Sequence, residues 1–343
     1  MKRADVLQCQ FSNWHNVFRD ITFKSRVIDL PSDVTEYLLA DGFTLPEGCE
    51  DKLQRTGLQN DSNDEVEWDS DKTEVKGPDF SQFNQQIDLA IESLGGAVFP
   101  KLNWSAPKDA VWIAMGNTLK CTCPRHIYLL LKSSNFISHD LNYPFDKCVD
   151  EPKSHHDIVY QLVLKRWHDI NPVGEFRCFV SNNTLIGKCN DSPCICQRQH
   201  TSHFPAIHSD KRSICDDIEV FFVDNIQSKF PLSSYVFDVY RLRQNKVYLV
   251  DFNPYGPVTD GLLFSWDELL CDKPLGFDFT SQAPIKPVFR FVESEGQIQS
   301  NTYQCYAVPQ DIVHLTTGED PIKLIDFLKL KTQNPDDSST DED

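Results

Sequence analysis

The sequence predicts an α+β protein, on three observations. Short apolar runs rich in β-branched and aromatic residues recur along the 343 residues, stretches with helical spacing lie between them, and residues 236–256 (VFDVYRLRQNKVYLVDFNPYG) form two such runs around a polar middle. Mixed strands and helices with antiparallel hairpins imply layers of sheet and helix, and no internal repeat is present. A chain of this length exceeds a usual single domain, so two or three packed subdomains with ample core are expected.

In chain order, residues 1–48 carry an apolar, aromatic opening (VLQCQFSNWHNVF), then a strand-like FKSRVIDLP and a helix-like PSDVTEYLLADG. Residues 61–79 hold eight acids (Asp61, Asp64, Glu65, Glu67, Asp69, Asp71, Glu74, Asp79) and few aliphatics. Such a segment cannot offset backbone ordering entropy of about 1–2 kcal/mol per residue, so 50–78 reads as an unfolded acidic linker. It serves either solubility or attraction to a basic partner, and Ser62 and Ser70 sit among its acids as phosphorylation candidates. From Phe80 to Leu94, Phe83, Ile87, Ala90, Ile91 and Leu94 share one helical stripe that Gly95-Gly96 stops. AVFPKLNW then reads as a buried strand, HIYLLLKSSNF as a helix and DIVYQLVLKRW as a strand. In EFRCFV, Glu175 and Arg177 fall on one strand face and Phe176, Cys178 and Val180 on the other. SICDDIEVFFVDNIQ is an amphipathic helix preceding the hairpin, and TTGEDPIKLIDFLKL is a helix opened by threonine and acids. The closing DDSSTDED is expected to be unfolded. The boundaries are therefore an N-terminal segment packed on the core (1–49), the linker (50–78), a core with a C-terminal helix (79–330) and an acidic tail (331–343).

Composition excludes several classes. A net charge of −18 is a poor basis for binding nucleic acid by phosphate neutralisation. The opening MKRADVLQCQFSNW has no continuous apolar stretch of signal-peptide type, and no run of about 18 apolar residues occurs, so a soluble, cytosolic protein with no membrane partner is expected. Twelve cysteines at irregular spacings fit free thiols in a reducing compartment. Cys189, Cys194 and Cys196, and separately Cys121 and Cys123, lack the paired C-x2-C spacing of a structural zinc site. Walker, G-x-G-x-x-G and G-x-S-x-G motifs are absent.

The 236–256 hairpin carries the chemistry. A loop symmetric about Gln244-Asn245 sets Asp238 directly across from Asp251, and like charges so opposed destabilise a sheet unless one is protonated or a cation lies between them. By the two-residue alternation Asn253 joins Asp251 on the same face. Two carboxylates and an amide suit a hard ion such as magnesium; the alternatives are a solvated acidic edge, or an asparagine that begins the Asn253-Pro254 turn. Cations stand beside other apolar strands: Lys101, Lys165, Arg166 and Arg177. Singly, each reads as internally paired, for example Arg177 with Glu175. Together with the diacid hairpin they supply what binding a nucleoside triphosphate without a P-loop needs.

CQFSNWHNVF, SLGGAVFPKLNWSAPKDAVWIA, YLLLKSSNFI, EFRCFV, VYLVDFNPYG, LLFSWDEL and TGEDPIKLIDFLKLK, in this order from residue 9 to 331, resemble the cell division cycle protein 123 family. The resemblance implies an ATP-grasp fold with a nucleotide cleft between two mixed or antiparallel-sheet subdomains. It also implies ATP and magnesium as cofactors, and a role as an assembly factor that binds the gamma subunit of eukaryotic translation initiation factor two and promotes heterotrimer formation. Lys101, Trp104 and Ala106 would then line the nucleotide site; Lys165, Arg166, Trp167 and His168 would form the adenine-side hinge, largely through backbone. Glu175, Arg177 and Arg198 would complete the ribose and phosphate contacts, and Asp238, Asp251 and Asn253 would hold the metal. The chain departs from the family by inserting KCNDSPCIC before Gln197-Arg198 and by placing Gln199 where an aspartate is expected. An ATP-binding chaperone, monomeric on its own and supporting translation initiation and the cell cycle, is the expected activity. The alternative is an ATP-grasp ligase that activates a carboxylate as an acyl phosphate.

Overall fold

The computed structural model describes residues 1–42, 44–49, 76–114, 116–150, 158–185, 194–270 and 288–298. Most of the acidic linker, the helix expected at 316–330, the tail and all but the end of the cysteine-bearing insertion lie outside the described residues.

The aromatic opening, to which the sequence assigned no element, forms two short helices, α1 (Arg3–Gln8) and α2 (Phe11–Phe18). Phe11, Trp14 and Phe18 recur at three- and four-residue spacing, share one face of α2 and are buried. β1 (Ser25–Asp29) and α3 (Ser32–Leu39) follow, the helix entered through Pro31. α4 (Ser81–Ser93) buries Phe83, Ile87, Ala90 and Ile91 and ends before Gly95 and Gly96, whose φ angles of 96° and 87° no β-carbon-bearing residue adopts readily.

β2 (Val98–Lys101) is shorter than its apolar run. HIYLLLKSSNF divides into α5 (Pro124–Lys132) and α6 (Asn135–Asn142) because the Ser134 hydroxyl accepts from the Ile137 amide and caps the second helix. β3 (Gln161–Arg166), β4 (Glu175–Val180) and β5 (Cys194–Gln197) precede the long helix α7 (Pro205–Asn225). β6 (Tyr235–Arg243) and β7 (Lys246–Pro254) form the expected hairpin, followed by α8 (Trp266–Leu270) and β8 (Val288–Arg290).

Two sheets result, which bears out the α+β expectation. The smaller is antiparallel, ordered β1-β3-β2; the larger is ordered β7-β6-β4-β5-β8, antiparallel except for the β5–β8 pair. Alternation along β3 sends Leu162 and Leu164 into a core shared with α3–α6, while Val163 joins the core of the larger sheet. That second core collects Phe176, Cys178, Phe237 and Val239 from the sheet, Ile214, Ile218 and Phe222 from α7, and Phe11, Trp14 and Phe18 from α2. The Val163 face of β3 therefore brings Lys165, two residues further on, toward the larger sheet.

Candidate functional site

The β6–β7 hairpin turns through Gln244-Asn245 between the paired Arg243 and Lys246, with Asn245 at φ 58°. Asp238 faces Asp251 as the symmetric loop requires. The strands reach that register by an irregular route: Leu242 is unpaired on β6 and Val250 on β7, so one extra residue on each strand cancels the other. The Val250 bulge also resets the alternation. Strict period two would send Asp251 to the side of Leu249; instead Leu249 and Phe252 both enter the core, and Asp251 and Asn253 face away from it with Asp238. The bulge carbonyl of Val250 accepts a 2.6 Å hydrogen bond from Lys165 Nζ.

Side-chain cations compensate the opposed carboxylates. Arg177 stands across from Asp238 in the β4–β6 ladder and grips it with Nε–Oδ1 and Nη2–Oδ2 bonds of 2.8 Å each. Its Nη1 donates to the Asp260 carbonyl at 2.6 Å. Arg198 Nε adds a 3.2 Å bond to Asp238 Oδ2, while Arg198 Nη1 meets Glu175 Oε1 at 3.1 Å. The partner of Arg177 is thus Asp238, and Glu175 belongs to Arg198, a correction to the pairing weighed from sequence. Lys101, at the end of β2, reaches Asp251 Oδ2 at 2.5 Å. Burial pushes the Asp238 carboxyl up, but Arg177 and Arg198 outweigh it and hold the group well below the usual carboxylate range. Arg198 enters the cluster despite the preceding insertion, its amide continuing the ladder to the Glu175 carbonyl at 3.0 Å.

Two further lysines complete the cluster. Lys165 is buried, and burial lowers its pKa to about 7 against the pull of Asp251. Lys108, half-buried at the start of a 3-10 turn (Lys108–Ile113), is likewise lowered to about 7, by desolvation first and then by Arg198, with Asp238 opposing. Among the described residues neither lysine makes an ion pair. Sequence reasoning missed Lys108 as a site residue; its signal was a lone lysine in the apolar run SAPKDAVW, seven residues after Lys101. Phe11 lies against both other lysines, its ring centroid 5.6 Å from Lys101 Nζ and 4.9 Å from Lys165 Nζ.

The remaining expected residues lie around this cluster to differing extents. Ala106 is buried beside Lys108, its carbonyl accepting from the Lys108 amide at 2.7 Å. Trp104 turns toward α1, donating its indole N–H to the Val6 carbonyl at 2.9 Å and packing edge-on against Phe145. In the hinge the amides of Arg166 and Trp167 are bonded to the carbonyls of Lys24 and Ala97, and His168 packs on Phe23, which stacks on Tyr248. The side chains of Arg166 and His168 are exposed.

For a hard cation, the donor set fits unevenly. Asn253 Nδ2 is buried without a hydrogen-bond partner, and exchanging the amide nitrogen and oxygen would put an oxygen ligand there. Among the described residues Asp251 Oδ1 accepts only a 3.2 Å bond from its neighbour Phe252. Asp238, by contrast, already has both oxygens on guanidinium groups. Among the described residues no three His, Cys, Asp or Glu side chains group so as to hold a metal; Cys194 is buried, and Cys196 is a buried thiol pushed up to about 12 by burial. No described helix is long and apolar enough to cross a membrane. A separate groove of about 890 Å3 bordered by His15, Arg26, Asp29, Gln86 and Leu89 contains none of the cluster charges, so its size does not make it the site.

A profile of the D123 family matches residues 14–316. The chain is 44% identical over 343 residues to a "Translation initiation factor eIF2 assembly protein" of Xenopus tropicalis, covering 99% of this chain and 100% of that one. A protein of the same description from Danio rerio is 44% identical over 338 residues, covering 96% and 95% of the two chains. The solved structure of Cdc123 from Schizosaccharomyces pombe superposes with a TM-score of 0.65 at 35% identity, covering 85% of this chain and 98% of that one.

Proposed function

The chain belongs to the D123 family, and on that footing we propose that it is an ATP- and magnesium-binding assembly factor for eukaryotic translation initiation factor two. It binds the gamma subunit and promotes heterotrimer formation, and so supports translation initiation and the cell cycle. The description shared by the Xenopus and Danio relatives supports the assembly role.

One observation carries the nucleotide reading: Lys101, Lys108, Lys165, Arg177 and Arg198 converge on three bonded carboxylates, with two of the lysines lacking any ion pair among the described residues. Buried cations in surplus need an anion, and a triphosphate supplies several negative charges at once. The meeting of a three-stranded and a five-stranded sheet on this cluster supports an ATP-grasp arrangement. The lysines and arginines would face the phosphates, the Lys165–His168 hinge the adenine, and Glu175 the ribose. Asp251 and Asn253, with Asp238 shared between the ion and its guanidinium partners, would hold magnesium, which neutralises phosphate oxygens when bound. The acidic linker and tail would be solubilising tethers, and the protein a cytosolic monomer outside its complex.

Capture experiments with the gamma subunit test the assignment. Magnesium ATP should strengthen capture from a eukaryotic lysate and from purified components, with stoichiometric nucleotide binding and no carboxylate-dependent ADP release. Release of ADP that depends on a small carboxylate would favour the ligase, and absence of capture would remove the partner.

A further inference from the structure

The ring beneath the two lysines is set in place more firmly than core packing alone requires. Phe11 is fully buried, stacked on His15 at 4.8 Å and set edge-on to Trp14 at 4.7 Å. Its amide donates to the Asn103 carbonyl at 3.0 Å, tying the first residue of α2 to the segment just after Lys101. The ring face then approaches Nζ of Lys101 and of Lys165, and the Trp14 ring lies 5.9 Å from Lys165 Nζ. Lys165 has the Val250 carbonyl and these rings, but among the described residues no carboxylate in ion-pair reach.

A carboxylate at this position would hold the ammonium groups equally well, but it would also cancel their charge. An aromatic face attracts a cation through its quadrupole and brings no net charge. We propose that Phe11, backed by Trp14, is a positioning residue of the anion site, holding Lys101 and Lys165 at the meeting of the two sheets without adding a carboxylate to the one Lys101 already meets in Asp251, so that the charge of Lys165 stays open to a polyphosphate. The inference rests on the nucleotide reading above and adds to it the part played by the N-terminal helices. Phe11 touches no phosphate in this scheme; it acts through the two lysines.

Phenylalanine at position 11 can be replaced in the full-length chain by its mono-, di-, tri- and pentafluoro analogues. These keep the ring's shape while draining its quadrupole. Affinities for magnesium ATP, inorganic tripolyphosphate and adenosine are then measured. Tripolyphosphate and ATP affinity should fall stepwise with each fluorine, by about tenfold across the series, while adenosine affinity stays level. The same series on Lys165→Met should show a shallower fall, because one of the two cations is gone. The early members supply the slope if pentafluorophenylalanine perturbs folding. A flat response to fluorine in a protein that binds ATP overturns this inference alone; a wild type that binds neither ATP nor tripolyphosphate overturns it together with the nucleotide reading.

Discussion

Arg177 and Asp238 stand opposite one another on adjacent antiparallel strands, joined by two parallel hydrogen bonds of 2.8 Å and almost wholly shielded from water. Removing one member strands a buried charge, whereas removing both leaves an apolar contact. Arg177→Met should therefore cost about 3 kcal/mol, the lower end of the range for a broken buried pair, because Arg198 still reaches Asp238. Adding Asp238→Leu should restore most of the loss in urea denaturation. A double variant no more stable than Arg177→Met would mean that packing, not the orphaned carboxylate, carries the effect.

Lys108 offers a cleaner probe of the phosphates than Lys101, since among the described residues its removal breaks no ion pair. Lys108→Met should leave the melting temperature nearly unchanged and weaken ATP binding about tenfold without affecting adenosine, as expected of a charge that acts on phosphate alone. Lys101→Ala should show the same selectivity, with added instability because Asp251 loses its partner. Equal losses for ATP and adenosine in titration calorimetry would move either lysine out of the phosphate site.

Asp251→Asn and Asn253→Ala should both remain folded and lose most of the extra thermal stabilisation that magnesium adds to ATP. Thermal shifts with ATP, with and without magnesium, decide the point. Full magnesium-dependent shifts in both variants would show that the ion sits elsewhere.

Lys165 titrates near 7 in the fold, driven down by burial, and near 10.4 in an unfolded chain. Between those values the unfolded chain binds more protons, so this group makes stability rise with pH across that window, by at most about 1.4 kcal/mol per pH unit. Below pH 7 both states are protonated and the whole cost of the buried charge is present. Lys165→Met should consequently melt above the wild type at pH 6.5, with the gap closing by pH 9. A gap independent of pH would show that Lys165 is not the titrating group.

The sequence disclosed the hairpin pair because Gln244-Asn245 fixes the turn and the two unpaired residues cancel before Asp238 is reached. The stripe on α4 and the two faces of EFRCFV were likewise legible, since local periodicity alone sets them. The partner of Arg177 was not, because β4 and β6 are neighbours only after α7 and the short strand β5 have intervened. Lys108 was hidden by its 3-10 turn, which has no strand or helix period to mark an inward face. α1 and α2, of six and eight residues, are too short for their spacing to stand out from an aromatic run. The contact of Phe11 with two lysines depends on three separate elements and leaves no trace in any one of them.

Val250 is a residue the ladder can do without. If it were deleted, Leu249 and Asp251 would become consecutive, still facing Val239 and Asp238 and still on opposite sides of the strand, so the ladder would run without a break from Arg241–Val247 to Tyr235–Pro254, leaving the irregularity at Leu242 alone. What would disappear is the carbonyl that anchors Lys165. Among descendants of a common ancestor, a one-residue gap at this point would therefore mark a lineage that kept the architecture and surrendered the anchor. Counting the residues between the core leucine and the aspartate would sort such lineages before any of them was crystallised.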